Sequence, residues 1–148
     1  MSDNAAFWTT PTQSADNPEN LIMVTGRRDV DKFRTNPRFI YRVDVTWPYK
    51  ADKNGMPGFE DSKIMEQVTD SLNAVFKKDP VAVMTGIYTG DGKRDWVFYT
   101  LSLHIFQRKF NQALEGLPSL PLEFHAEEDP DWEEYRNMCD LTEIPDEE

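Results

Sequence analysis

Between Phe39 and Ala126 the hydrophobic spacing switches from a period of two to helical spacing and back, twice over, and this order narrows the possible folds more than any other feature of the chain. Phe39, Tyr41, Val43, Val45 and Trp47 alternate with Ile40, Arg42, Asp44 and Thr46, the pattern of a half-buried strand over 39–47. A Gly- and Pro-containing loop runs from Pro48 to Gly58. Beyond it, Ile64, Met65, Val68, Leu72, Val75 and Phe76 recur at helical spacing, which predicts a helix from Asp61 to Phe76 with Asp61 or Ser62 as N-cap. Residues 81–89 and 95–100 are strand-like and flank Gly90-Asp91-Gly92-Lys93, a hairpin signal. Ser102 then caps a second helix whose Leu103, Phe106, Phe110, Ala113, Leu114 and Leu117 share a face, and Gly116 and Pro118 end it. Leu122 to Ala126 is a last short strand.

The order β-α-β-β-α-β, closed by right-handed crossovers, predicts an α+β fold of the ferredoxin-like plait type, one antiparallel sheet with both helices on one side. Upstream, Leu21 to Gly26 reads as an added strand, paired with Ala5 to Thr10 across the polar turn Ser14 to Asn20. Downstream, Asp129 as N-cap, Pro130 at the first helical position and acids in the first turn predict a short helix from Pro130 to Met138. Its Trp132, Tyr135 and Met138 or Cys139 would pack on the body. The 148 residues fit a single domain with its body at about 20–138. The first few residues and about 140–148 are expected to be disordered.

Charge and cysteine content then exclude classes of function. From Glu123 to Glu148 twelve acids face one base, Arg136, so this tail carries the whole net charge of −11 and the rest of the chain sums to zero. An acidic terminus on a neutral body repels phosphate backbones, which argues against nucleic acid. The tail reads as a solvated terminus or as an arm for a basic partner. One cysteine, Cys139, cannot make an internal disulfide or a cysteine zinc site, so a reducing, cytoplasmic location is expected. No signal peptide and no membrane span is apparent.

Four stretches carry a resemblance. Val24-Thr-Gly-Arg-Arg-Asp-Val-Asp-Lys-Phe33, the Tyr41 to Tyr49 strand with Trp47, Thr89-Gly-Asp-Gly-Lys-Arg-Asp-Trp-Val-Phe-Tyr99 and Asp129-Pro-Asp-Trp-Glu-Glu-Tyr135 resemble the bacterial domain of unknown function family 695 over residues 20 to 138. That resemblance implies no activity. In fold and in the closing Asp-Pro-x-Trp pattern the chain is also distantly similar to regulator of ribonuclease activity B, a small acidic protein that inhibits an endoribonuclease by binding it.

Individual motifs point away from catalysis. The Gly-x-Gly at Gly90 to Gly92 lies between strands and lacks the Gly-Lys-Ser/Thr ending of a phosphate loop, so it reads as a turn; an anion held by its amides with Lys93 and Arg94 is the other reading. Asp129, Asp131 and Glu133 match positions 1, 3 and 5 of a calcium loop, but Pro130 follows the first ligand, Glu134 stands where glycine is needed and Asp140 where a glutamate is needed. Helix capping explains the same acids. His104 and His125 are isolated, no nucleophile elbow is present, and Cys139 sits among acids that blunt a thiolate. No cofactor or metal is called for. A sheet face showing Arg42 and Asp44 lacks the aromatic platform of an RNA-binding plait.

The best place for a ligand is an arginine and aromatic cluster of Arg27, Arg28 and Arg94 with Trp47 and Tyr99, which suits a small anion. Against it stands ion pairing of these arginines with Asp29, Asp31, Asp44 and Asp95, and aromatics that belong to the core. The chain is thus expected to be a non-catalytic binding or regulatory module, contacting another protein or a copy of itself through a sheet face or edge. The alternative is a small-molecule-binding protein or enzyme that takes an anionic ligand at the arginine cluster.

Overall fold

The computed structural model describes residues 7–14 and 20–142. Along the chain run β1 (Phe7–Gln13), β2 (Leu21–Arg27), α1 (Asp31–Arg34), β3 (Tyr41–Pro48), α2 (Phe59–Lys78), β4 (Ala82–Gly90), β5 (Lys93–Thr100), α3 (Leu103–Ala113), β6 (Glu123–Glu128) and α4 (Glu133–Leu141). Every neighbouring pair is antiparallel, and the strands lie in the order β1-β2-β4-β5-β3-β6. The sheet therefore has six strands, where the β-α-β-β-α-β pattern alone predicts four. In a four-stranded sheet β4 would present an open edge although nearly all its residues are buried, and β2 closes that edge from Met23↔Thr89 to Gly26↔Gly86. The upstream hairpin expected at lower numbers is this β1–β2 pair; Ala5 and Ala6 lie outside the described residues.

Both faces of the sheet are packed. On one, Met65, Val68 and Leu72 of α2 and Phe106 and Phe110 of α3 meet Val43, Val45, Trp47, Trp96 and Phe98. Four phenylalanines knit this side, with Phe76 stacked on Phe106 at 5.5 Å and Phe98 edge-on to Phe106 at 5.0 Å. On the other, Trp132, Tyr135, Met138 and Cys139 cover Trp8, Val24, Val83 and Tyr99. The packing of the C-terminal helix on the body thus matches expectation, and it makes the second face only partly open. The paired glycines make room for it: a Cβ on Gly26 would stand 2.5 Å from the Trp8 ring, and one on Gly86 2.8 Å from Met138 Sδ.

Several boundaries differ from the sequence expectation for local reasons. Phe39 is outside β3, in the turn that donates its N–H to Asn36, and its ring packs edge-on against Phe33 at 5.3 Å in the α4-side core. α1, which holds Phe33, is a single turn too short to leave a periodic signal. α2 begins at Phe59 with Gly58 as N-cap and no side-chain cap, so Asp61 and Ser62 lie inside it; Glu60 and Asp61 sit in its positive first turn. Ser102 does cap α3, its hydroxyl accepting from the Ile105 N–H. α4 starts at Glu133, not Pro130, because Trp132 turns into the left-handed region (φ 55°) to bury its indole. Asp140 and Leu141 belong to α4, against the expectation of disorder there, and 143–148 lie outside the described residues. Among the described residues no helix is long and apolar enough to cross a membrane.

Candidate functional site

Strand alternation puts Arg42, Asp44 and Thr46 of β3, Asp95, Val97 and Tyr99 of β5 and His125 of β6 on the α4 side. Because α4 covers Tyr99 and leaves the rest, a groove of about 440 Å³ remains, lined by these residues with Lys93, Tyr88 and, from α4, Glu134. The Arg42 guanidinium organises it. Its Nε and Nη2 donate to the two oxygens of Asp44 at 3.2 and 3.1 Å, with Glu127 Oε2 at 3.5 Å and Asp129 Oδ2 at 4.0 Å. Burial works against this charge, but Asp44, Glu127 and Glu134 outweigh it and hold the pKa above its ordinary value. For Asp44 burial wins over Arg42, and its carboxyl is pushed up.

Glu134 is the anomaly of the groove. The Tyr88 hydroxyl donates to its Oε2 at 2.7 Å, while Oε1 is buried with no hydrogen-bond partner. Burial pushes the Glu134 carboxyl up, and burial with the Glu134 charge pushes the Tyr88 phenol up. A buried acceptor without a donor is costly. The charged form is penalised in the folded state, so the sign of the pH effect follows: this contribution to stability falls as pH rises from the ordinary carboxylate range through the raised folded value. Glu134→Gln is expected to raise stability by about 1 kcal/mol at neutral pH and to lose the advantage below the ordinary carboxylate range, which urea unfolding at the two pH values measures.

The five residues of the predicted arginine cluster are not brought together as one site, although Trp47 and Arg94 oppose each other across β3 and β5. Arg94 and Tyr99 stand five apart in one strand, so they point to opposite faces. Tyr99 is fully buried, its hydroxyl donating to Asp129 Oδ2 at 2.6 Å and its ring stacked on Trp132 at 4.0 Å. Trp47 is 4% exposed in the α2–α3 core, 6.4 Å from Trp96. Arg27 pairs with Asp29 at 2.8 Å and lies over the Phe7 ring, and Arg28 lies over Trp8. Arg94 borders a separate groove of about 350 Å³ on the α2 side. At the Gly-x-Gly turn Asp91 and Gly92 both have positive φ, as a two-residue hairpin turn needs, and the Gly92 N–H is donated to Gly55. Asp129 is used in capping, its oxygens accepting from the Glu133 and Glu134 amides.

Sequence reasoning assigned neither Tyr88 nor Glu134 to a site. A bulge between Met84 and Gly86 reverses which residues of β4 face α4, and this hides Tyr88 from simple alternation. Glu134 lies among many acids of the tail, and only the turn at Trp132 aims it inward.

The family model described as "Family of unknown function (DUF695)" matches residues 8–138. No curated protein and no solved structure matches the chain, and the likeness in fold and in the Asp-Pro-x-Trp pattern to regulator of ribonuclease activity B is not shown.

Proposed function

We propose that this chain, which belongs to the DUF695 family of unknown function, is a non-catalytic binding module that takes an extended basic segment of another protein along β6. One observation carries the reading: β6 is the outermost strand and all six of its residues are exposed, Phe124 at 44%. The Asp129 N–H donates to Ile40, which continues the register of β3, so odd-numbered residues of β6 turn their backbone to β3. Phe124, Ala126 and Glu128 therefore turn theirs outward, available to another strand.

Charge sets the partner's chemistry. Glu123, Glu127 and Glu128 line this strand, and an antiparallel copy of β6 centred on His125 would oppose Glu123 to Glu127, which like-charge repulsion disfavours. A Lys- or Arg-bearing strand meets no such repulsion, and the neighbouring groove on the α4 side adds the carboxylates of Asp44 and Glu134. In fold terms we read β6-β3-β5-β4 with α2 and α3 as a ferredoxin-like plait extended by β2 and β1; antiparallel pairing in that order and both helices on one face support it. The lone cysteine supports a cytoplasmic, reducing setting.

A labelled peptide alternating Lys and Val, with an alternating Glu and Val peptide as control, tests the reading by fluorescence anisotropy. The basic peptide is expected to bind and to weaken with salt. Ala126→Pro removes an outward N–H from an edge strand without touching the ladder to β3, and is expected to weaken binding about tenfold, about 1.4 kcal/mol, with the circular dichroism spectrum unchanged. Equal binding of both peptides, or a folded Ala126→Pro that binds like the wild type, overturns it.

A further inference from the structure

The α2-side groove of about 350 Å³ lies where β1 and β2 extend the sheet past the helices, and it combines features that no core packing requires. Arg94 forms one end of it. The guanidinium is half-buried over the Trp96 ring, 5.6 Å from its centroid, and its Nε donates to Thr89 Oγ1 at 2.8 Å. No carboxylate of the described residues comes within 4.0 Å of it, and its two Nη groups have no protein acceptor among them. Arg42 on the opposite face shows the ordinary solution, with three carboxylates around one guanidinium. Burial also holds the Arg94 pKa below its ordinary value, although the charges of Glu66 and Tyr49 raise it. A half-buried arginine whose fork has no protein acceptor among the described residues fits a carboxylate brought by a ligand.

The α2 wall has the opposite sign. Glu66 and Asp70 stand one turn apart on α2, are exposed and border the same groove. Phe7 and Ile87 supply apolar surface in its lining. A simple anion such as phosphate would satisfy Arg94 but meet the two acids.

We infer that this groove binds a small zwitterion of amino-acid chemistry, its carboxylate on Arg94, its ammonium facing Glu66 and Asp70, and its side chain on Phe7 and Ile87. The volume is at the small end of the range of about 300–1,000 Å³ usual for ligand pockets, which suits a single amino acid. The site is on the opposite face from the β6 edge, so either reading stands if the other fails.

The test is thermal unfolding of the full chain with each standard free L-amino acid at millimolar concentration, and with inorganic phosphate as the plain anion. At least one amino acid is expected to raise the Tm by mass action. Its N-acetyl and its carboxamide forms are each expected to lose the shift, because each removes one of the two charges. Arg94→Gln is expected to abolish it, and Asp70→Asn, at an exposed position that leaves the apo Tm in place, to weaken binding about tenfold. No shift with any amino acid, a shift with phosphate alone, a shift that survives Arg94→Gln or Asp70→Asn, or equal binding of the N-acetyl form overturns the inference.

Discussion

Trp132→Ala is expected to destabilise the protein by about 3–5 kcal/mol, the largest effect of any single substitution considered. Trp132 is 2% exposed, lies flat on Tyr99 at 4.0 Å and 12°, meets the Tyr135 ring edge-on at 5.8 Å, and donates its indole N–H to the Phe39 carbonyl at 2.9 Å. Truncation leaves a cavity between α4 and the sheet, an unpaired carbonyl at Phe39, and no reason for residue 132 to hold a left-handed backbone. Urea unfolding measures the loss. Trp132→Phe, which keeps most of the ring and loses only the donor, is expected to cost distinctly less. A cost below about 1 kcal/mol for Trp132→Ala, the size of a surface change, would mean that α4 does not hold the sheet face.

Asp129→Asn is expected to cost about 2–3 kcal/mol, and to change the pH dependence as well. Its carboxylate accepts from Tyr99 at 2.6 Å and from the Glu133 and Glu134 amides at 2.9 and 3.1 Å, with Arg42 at 4.0 Å. An amide offers one acceptor oxygen and sets an NH₂ group against donors. Burial raises the Asp129 pKa, but these hydrogen bonds and the Arg42 charge outweigh it and hold the carboxyl below its ordinary value. The folded pKa is depressed, so this stabilisation is present above the ordinary carboxylate value and is lost as pH falls through the folded one. Glu134, five residues on, acts with the opposite sign. Asp129→Asn should therefore lose most stability at neutral pH and converge on the wild type in acid, the reverse of the gain expected for Glu134→Gln; a pH-independent deficit would contradict the assignment.

Strand β3 and the two long helices were legible because each buries one continuous face. Val43, Val45 and Trp47 announce β3, and Met65, Val68, Leu72 and Phe76 announce α2. Asp91 and Gly92 announced their turn by composition. What was not legible depends on contacts distant in sequence. Phe39 reads as a strand residue until Phe33 and Trp132 claim it, and the helix start at Glu133 depends on where Trp132 finds a partner. The predicted arginine cluster failed as a cluster because parity along β5 separates Arg94 from Tyr99, while the unpaired Glu134 oxygen is a property of packing that no motif encodes.

Backbone amide NMR of the labelled full chain, titrated with the alternating Lys and Val peptide, tests the β6 reading most directly. Shifts and slowed exchange at the Phe124, Ala126 and Glu128 amides, with smaller shifts around His125 and Glu134, are the predicted result. Unmoved β6 amides, or shifts centred on Arg94 and α2, would contradict it.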